Sequence, residues 1–153
     1  MSKAKKAFDL TKQAPRSCYV RLGGYVILPR LIDKARAASA GKLGEYYDGP
    51  KGMNGRFLQF VGIKYPALKK QITKGGGDAE ILAWIEANAK SKRQPWEIAA
   101  WSEYQSQRPV DSDAETLEGF AKAMRRLHAD DREDIKTRFD FLDFDDYCAF
   151  GGK

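Results

Sequence analysis

Apolar positions recur at steps of three and four along most of this chain, a spacing that predicts helices. The clearest stripe is Leu117, Phe120, Ala121, Met124, Leu127 and His128, placed behind Ser112-Asp113-Ala114-Glu115, which reads as a capping box. A narrower stripe of Leu31, Ile32, Ala35 and Ala38 follows Pro29, a residue suited to a first helical turn. Arg30, Asp33, Lys34 and Arg36 fall on its other side, and Gly41 can end it. Asn54 is expected to cap a short helix carrying Phe57, Leu58 and Phe60, with Gly62 as its stop. Pro66 opens another with Leu68 and Ile72, which Gly75-Gly76-Gly77 ends. Asp78 is then placed as the cap of a helix with Ile81, Leu82 and Ile85. Pro95 starts a helix holding Trp96, Ile98, Trp101 and Tyr104, and a last one carries Ile135, Phe139 and Leu142. Leu22 to Leu28 is the one strand-like run, and it is short. Residues 1–18 read as a basic, partly ordered N-terminal arm and 19–153 as a single helical domain. The expected fold is all-α: a compact multi-helix domain with a short extended segment before the first long helix.

Composition adds little to that picture, but charge changes it. A chain of 153 residues can bury roughly 70% of its unfolded surface without a metal or disulfide. Residues 1–76 hold 16 Lys and Arg against 4 Asp and Glu, a net of +12, while residues 77–153 hold 11 against 17, a net of −6. Such a split predicts one basic and one acidic face, unless folding interleaves the halves. No apolar run approaches the ~20 residues of a membrane span, and the start of the chain has no hydrophobic stretch behind its lysines. A cytoplasmic protein is therefore expected, with Cys18 and Cys148 as reduced thiols.

The segment from Arg21 to Ala37, Arg-Leu-Gly-Gly-Tyr-Val-Ile-Leu-Pro-Arg-Leu-Ile-Asp-Lys-Ala-Arg-Ala, is the most distinctive. It resembles the signature of an uncharacterised bacterial family, domain of unknown function 5069. Asp9-Leu10-Thr11 with Pro15-Arg16-Ser17, Arg56 to Ile63, Gly77 to Ile85 and the ending from Phe139 to Gly152 are similar to that family too. The resemblance implies a small soluble bacterial protein. It implies no reaction, ligand or catalytic residue.

The candidate site lies in that signature. Arg21, Arg30, Lys34 and Arg36 are dense in charge, Gly23 and Gly24 can expose backbone amides, and the helix start near Pro29 adds a positive dipole end. Asp33 would hold the geometry of the cations or act as a proton-transfer group, with Tyr25 or Tyr46 as an auxiliary donor. The plainer reading of the same residues is a solvated helix face with local ion pairs. Other chemistries fare worse. Asp140, Asp143, Asp145 and Asp146 lack the offsets of a calcium loop, so no metal site is assigned. His128 is the one histidine, and zinc, which needs three or four His or Cys ligands, does not easily find them. Gly75-Gly76-Gly77 has no Gly-Lys-Ser/Thr behind it. Basic residues interleaved with Tyr46, Tyr47 and Phe57 are compatible with single strands, but no nucleic-acid motif is present and the second half is acidic. Trp84, Trp96 and Trp101 read as core.

The expectation is thus a non-catalytic binding module for an anionic small molecule or an acidic protein surface, needing no cofactor. The alternatives are a small enzyme on a phosphorylated or carboxylated metabolite with Asp33 as acid and base, and a structural homo-oligomer whose basic and acidic faces dock head to tail.

Overall fold

The computed structural model describes residues 6–152. Among them lie seven α-helices: α1 (Leu28–Ser39), α2 (Gly52–Val61), α3 (Tyr65–Thr73), α4 (Asp78–Asn88), α5 (Pro95–Gln107), α6 (Ala114–Arg126) and α7 (Arg138–Ala149). No strand occurs among the described residues, only two isolated bridges, Leu22 with Tyr25 and Pro109 with Thr137. The fold is all-α, and no described helix is long and apolar enough to cross a membrane.

The expected stripe on α1 understates its burial. Nine of its twelve residues are buried, including Arg30, Asp33 and Lys34, so it is the central helix rather than a surface one. It packs on α2 and α3, and α3 packs on α4. Leu28, Leu31, Ile32 and Ala35 meet Phe57, Leu58 and Val61 of α2, Leu68 and Ile72 of α3, Ile81 and Ile85 of α4 and Phe139 of α7 in one core. A second core gathers Met124, Ala129, Ile135 and Phe141, flanked by Phe120 and Leu127, between α6 and α7.

Several caps lie elsewhere than the spacing predicts. Lys51, not Asn54, precedes α2, and Asn54 is buried inside the helix, donating from Nδ2 to the Gly49 carbonyl at 2.8 Å. Gly77 precedes α4, which moves Asp78 into its first turn and frees its carboxylate for other partners. Asp113, not Ser112, caps α6 by accepting from the Thr116 amide at 2.8 Å. His128 lies beyond α6, exposed at φ +54°, and is not part of the apolar stripe. The Ala129 amide donates to the Met124 carbonyl and the His128 amide to that of Arg125, the bonding of a Schellman stop. On α5 the aromatic run splits between two faces. Ile98 and Trp101 pack on the core, whereas Trp96 is 71% exposed and Tyr104 also faces solvent.

Of the arm expected over 1–18, the described part, 6–18, lies along the helical domain. The Leu10 amide donates to the Lys42 carbonyl at 2.8 Å, Leu10 and Cys18 are buried, and Arg16 reaches α1 and α4. Met1 to Lys5 fall outside the described residues. Both cysteines are free thiols.

Candidate functional site

The strand-like run is a turn with a helix start behind it. Leu22 and Tyr25 exchange both backbone hydrogen bonds at 3.0 Å, and Gly23 and Gly24 between them have φ +59° and +85°. Positive φ at both central positions is the two-residue hairpin turn that glycine favours. A Cβ on Gly23 would also lie 2.6 Å from Leu82 Cδ2, so α4 packs directly on the turn. The chain then enters α1 through Ile27, whose φ of +74° is rare for a β-branched residue. Its amide donates to the Cys18 carbonyl at 3.0 Å and its side chain is fully buried, which holds the conformation. Ser102 of α5 locks the turn from the other side, donating to the Gly24 carbonyl at 2.6 Å and accepting from the Val26 amide at 3.2 Å.

The seven candidate residues are distributed over three places. Arg21, Gly23 and Gly24 line a cavity of about 470 Å³ between the turn, the end of α4 and the start of α5. Asp33 and Arg36 line a small one of about 200 Å³ with Arg16, Lys6 and Phe8. Arg30 and Lys34 are buried between α1 and α7.

Most of the charges are met by carboxylates of the same chain. Arg30 holds Asp146 through two bonds, Nη1 to Oδ2 at 2.7 Å and Nη2 to Oδ1 at 3.1 Å, and the Tyr46 hydroxyl donates to the same Oδ1 at 2.9 Å. Arg36 donates to Asp78 at 3.0 Å and to the Gly76 carbonyl. Asp33 is 2% exposed and accepts from Arg16 three times: from Nε at 3.0 Å, Nη2 at 2.9 Å and the backbone amide at 2.9 Å. Arg16 also reaches Asp78 at 2.8 Å. Burial works to raise the Asp78 pKa, but the bonds from Arg16 and Arg36 outweigh it and hold the carboxyl below its ordinary value. Arg16 is a partner the spacing did not reveal, because it lies 17 residues from Asp33 and 62 from Asp78.

Lys34 differs from the arginines. It is 8% exposed, and its ammonium has no hydrogen bond or ion pair among the described residues. Burial, with repulsion from Arg30, pushes its ammonium down to about 8. Beside it, burial pushes the Cys18 thiol up to about 11, which argues against a thiolate nucleophile there.

The cavity at the turn keeps its polar groups more open. The Gly23 and Gly24 amides have no backbone partner among the described residues. Arg21, Lys92 and Arg93 bring positive charge to it, and Tyr25, Ala89, Ile98 and Ala99 give it an apolar lining. Arg93 is fixed by two bonds to the Phe60 carbonyl, at 3.2 and 3.1 Å, and by lying 4.4 Å over the Phe60 ring, which stacks on Trp101. Arg21 pairs with Glu103 at 3.3 Å, a surface pair of small worth. Glu86 also lines the cavity, and its carbonyl accepts from Lys92.

The acidic ending serves the fold. Asp140 accepts from Tyr19 at 2.6 Å, Asp145 lies 3.5 Å from Arg126, and Asp146 belongs to Arg30. Among the described residues no group of three His, Cys, Asp or Glu is placed to hold a metal ion.

The chain belongs to the family defined by a domain of unknown function, DUF5069, whose model matches residues 12–148. That span contains the turn, α1 and every partner of the ion network. A search of curated proteins finds no match to the chain.

Proposed function

We propose that this protein is a non-catalytic binding module for a small anionic ligand, held in the cavity at the Leu22–Tyr25 turn. The observation that carries the reading is the pair of Gly23 and Gly24 amides, without a backbone partner among the described residues, on a cavity lined also by Arg21, Lys92 and Arg93. Backbone amides and guanidinium-bearing residues around one apolar-lined space suit a phosphate or carboxylate with a small apolar body. The cavities beside α7 suit an anion less, because Asp143, Asp145, Asp146 and Glu45 line them.

The enzyme reading draws less support. A proton-transfer group must reach the atom it serves, and Asp33 is buried with three bonds from Arg16.

Calorimetric titration with a panel of small carboxylates and phosphate esters tests the proposal. A ligand found this way should bind about tenfold or more weakly to Arg21→Gln and to Arg93→Gln, since each removes a charge-assisted bond. Affinity unchanged by both substitutions rejects the cavity as the site.

A further inference from the structure

Three other arginines stand apart from both the ion network and the turn. Arg108 follows the end of α5, Arg56 lies on α2 and Arg138 opens α7. The chain brings them together by pairing the segments beyond α5 and before α7: the Arg138 amide donates to the Arg108 carbonyl at 3.0 Å, and the Val110 amide to that of Lys136 at 3.2 Å. Arg56 joins from α2 by pointing Nη1 at Gln105 Oε1, 3.5 Å away.

Elsewhere in this protein buried arginines have carboxylates. These three have almost none. Arg108 is 3% exposed, yet its Nε is fully buried with no hydrogen-bond partner. Its Nη1 reaches only the Ser112 hydroxyl at 3.1 Å and that of Thr116 at 3.5 Å, with exposed Asp113 at 3.9 Å. Arg138 has no ion pair among the described residues and lies 5.0 Å over the Phe141 ring. Burial, then the charges of Arg56 and Arg138, act against the protonated form of Arg108. A buried cation whose one carboxylate is exposed and 3.9 Å away, and which is crowded by its own kind, is costly, and folds avoid it unless something answers the charge. The C-terminal end of α5 offers about half a negative charge from its dipole, too little for three guanidinium groups.

We propose that Arg56, Arg108 and Arg138 form a second anion site, taking the dianionic phosphoryl group of a phosphate monoester. Arg56 and Arg138, both half-buried, are the reachable donors, and buried Arg108 adds its charge to theirs. Three clustered guanidinium groups match the tetrahedral oxygens and double charge of a phosphoryl group better than a planar, singly charged carboxylate. This site shares no residue with the turn cavity, so each stands without the other.

The test is a titration followed by the side-chain Nε resonances of the three arginines and by calorimetry. Inorganic phosphate, glucose 6-phosphate and a phosphoserine peptide are compared with acetate at matched ionic strength. Phosphate should shift all three resonances, and acetate should bind about tenfold or more weakly. Arg56→Gln and Arg138→Gln should each weaken phosphate about tenfold or more while the protein stays folded, since each removes a charge-assisted bond. Arg56→Gln without ligand should be at least as stable as the parent, because it relieves repulsion on Arg108. Stronger binding of the sugar ester or of the peptide identifies the source of the phosphoryl group, and either supports the site. Absence of phosphate binding at millimolar concentration overturns it, as does binding that both substitutions leave intact.

Discussion

The most informative single residue is Lys34. The spacing rule puts it on a polar face, but the fold buries it with Arg30 at its side and no carboxylate bonded to it. The reason lies outside the helix: α7 and the segment around Tyr46 close over that face, and nothing within α1 announces them. The consequence is a pH dependence with a defined sign. Burial and Arg30 lower the ammonium to about 8 in the fold, against 10.5 for an ordinary lysine. Above pH 8 the unfolded chain therefore holds a proton that the folded chain has shed, and stability rises with pH. The Cys18 thiol acts in the opposite sense above its ordinary value of 9.0, because the fold raises it to about 11. Tyr19, raised to about 12 by burial and by Asp140, adds to that fall at higher pH. Stability should accordingly climb by about 1 kcal/mol from about pH 7.5 to about pH 9 and then level off. Urea denaturation across this range checks it. Lys34→Met should flatten the climb, and an unchanged climb in that variant would assign it to another group.

At the scale of elements, the sequence showed where helices lie better than which way they face. Every apolar stripe it offered lies on or beside an observed helix, because the three-and-four spacing needs only local chain geometry. Facing is settled by partners. On α5, Trp96 and Tyr104 are eight apart and Ile98 and Trp101 are three apart, so both sets have helical spacing. Buried Ser102, bonded to Gly24 and Val26, turns the second set inward and the two aromatics out. The observed caps lie one to three residues from the positions the spacing predicts: Lys51 for Asn54, Gly77 for Asp78 and Asp113 for Ser112. The stop of α6 gives a second test. His128 occupies the left-handed position that glycine takes without strain, and its side chain is exposed. His128→Gly should stabilise the protein by about 1 kcal/mol, seen as a higher thermal midpoint. A lower midpoint would mean that the imidazole has a structural role the geometry does not show.

Over the whole molecule, the charge split resolves into internal pairing. Arg16, Arg30 and Arg36 of the basic half meet Asp78 and Asp146 of the acidic half, and Arg21 meets Glu103. The imbalance that looked like two faces therefore belongs in part to the interior, where it joins α1 to α4 and α7. The sequence carried the quantity of charge but not its placement, because those partners are separated by 42 to 116 residues. In the signature segment the glycines make the turn and line the cavity. Its arginines mostly hold the fold. No local pattern links Arg56, Arg108 and Arg138, which lie on α2, just beyond α5 and at the start of α7. The Arg30–Asp146 pair is the place to measure what such pairing contributes. Asp146→Ala leaves a buried guanidinium and the Tyr46 hydroxyl without their acceptor, and should cost about 3–5 kcal/mol in urea denaturation. Arg30→Met with Asp146→Leu should recover most of that loss, whereas equal losses in both would mean that packing, not charge, governs the site.

The proposal for the turn cavity is tested most directly by the amide resonances of Gly23 and Gly24 as a small phosphate ester is added. Both should move downfield in a saturable way and weaken together with Arg93→Gln, while amides along α1 beyond Lys34 stay still. If the two glycine signals hold their positions as the ester binds elsewhere, or do not respond at any concentration the protein tolerates, the turn is a structural corner and not a ligand site.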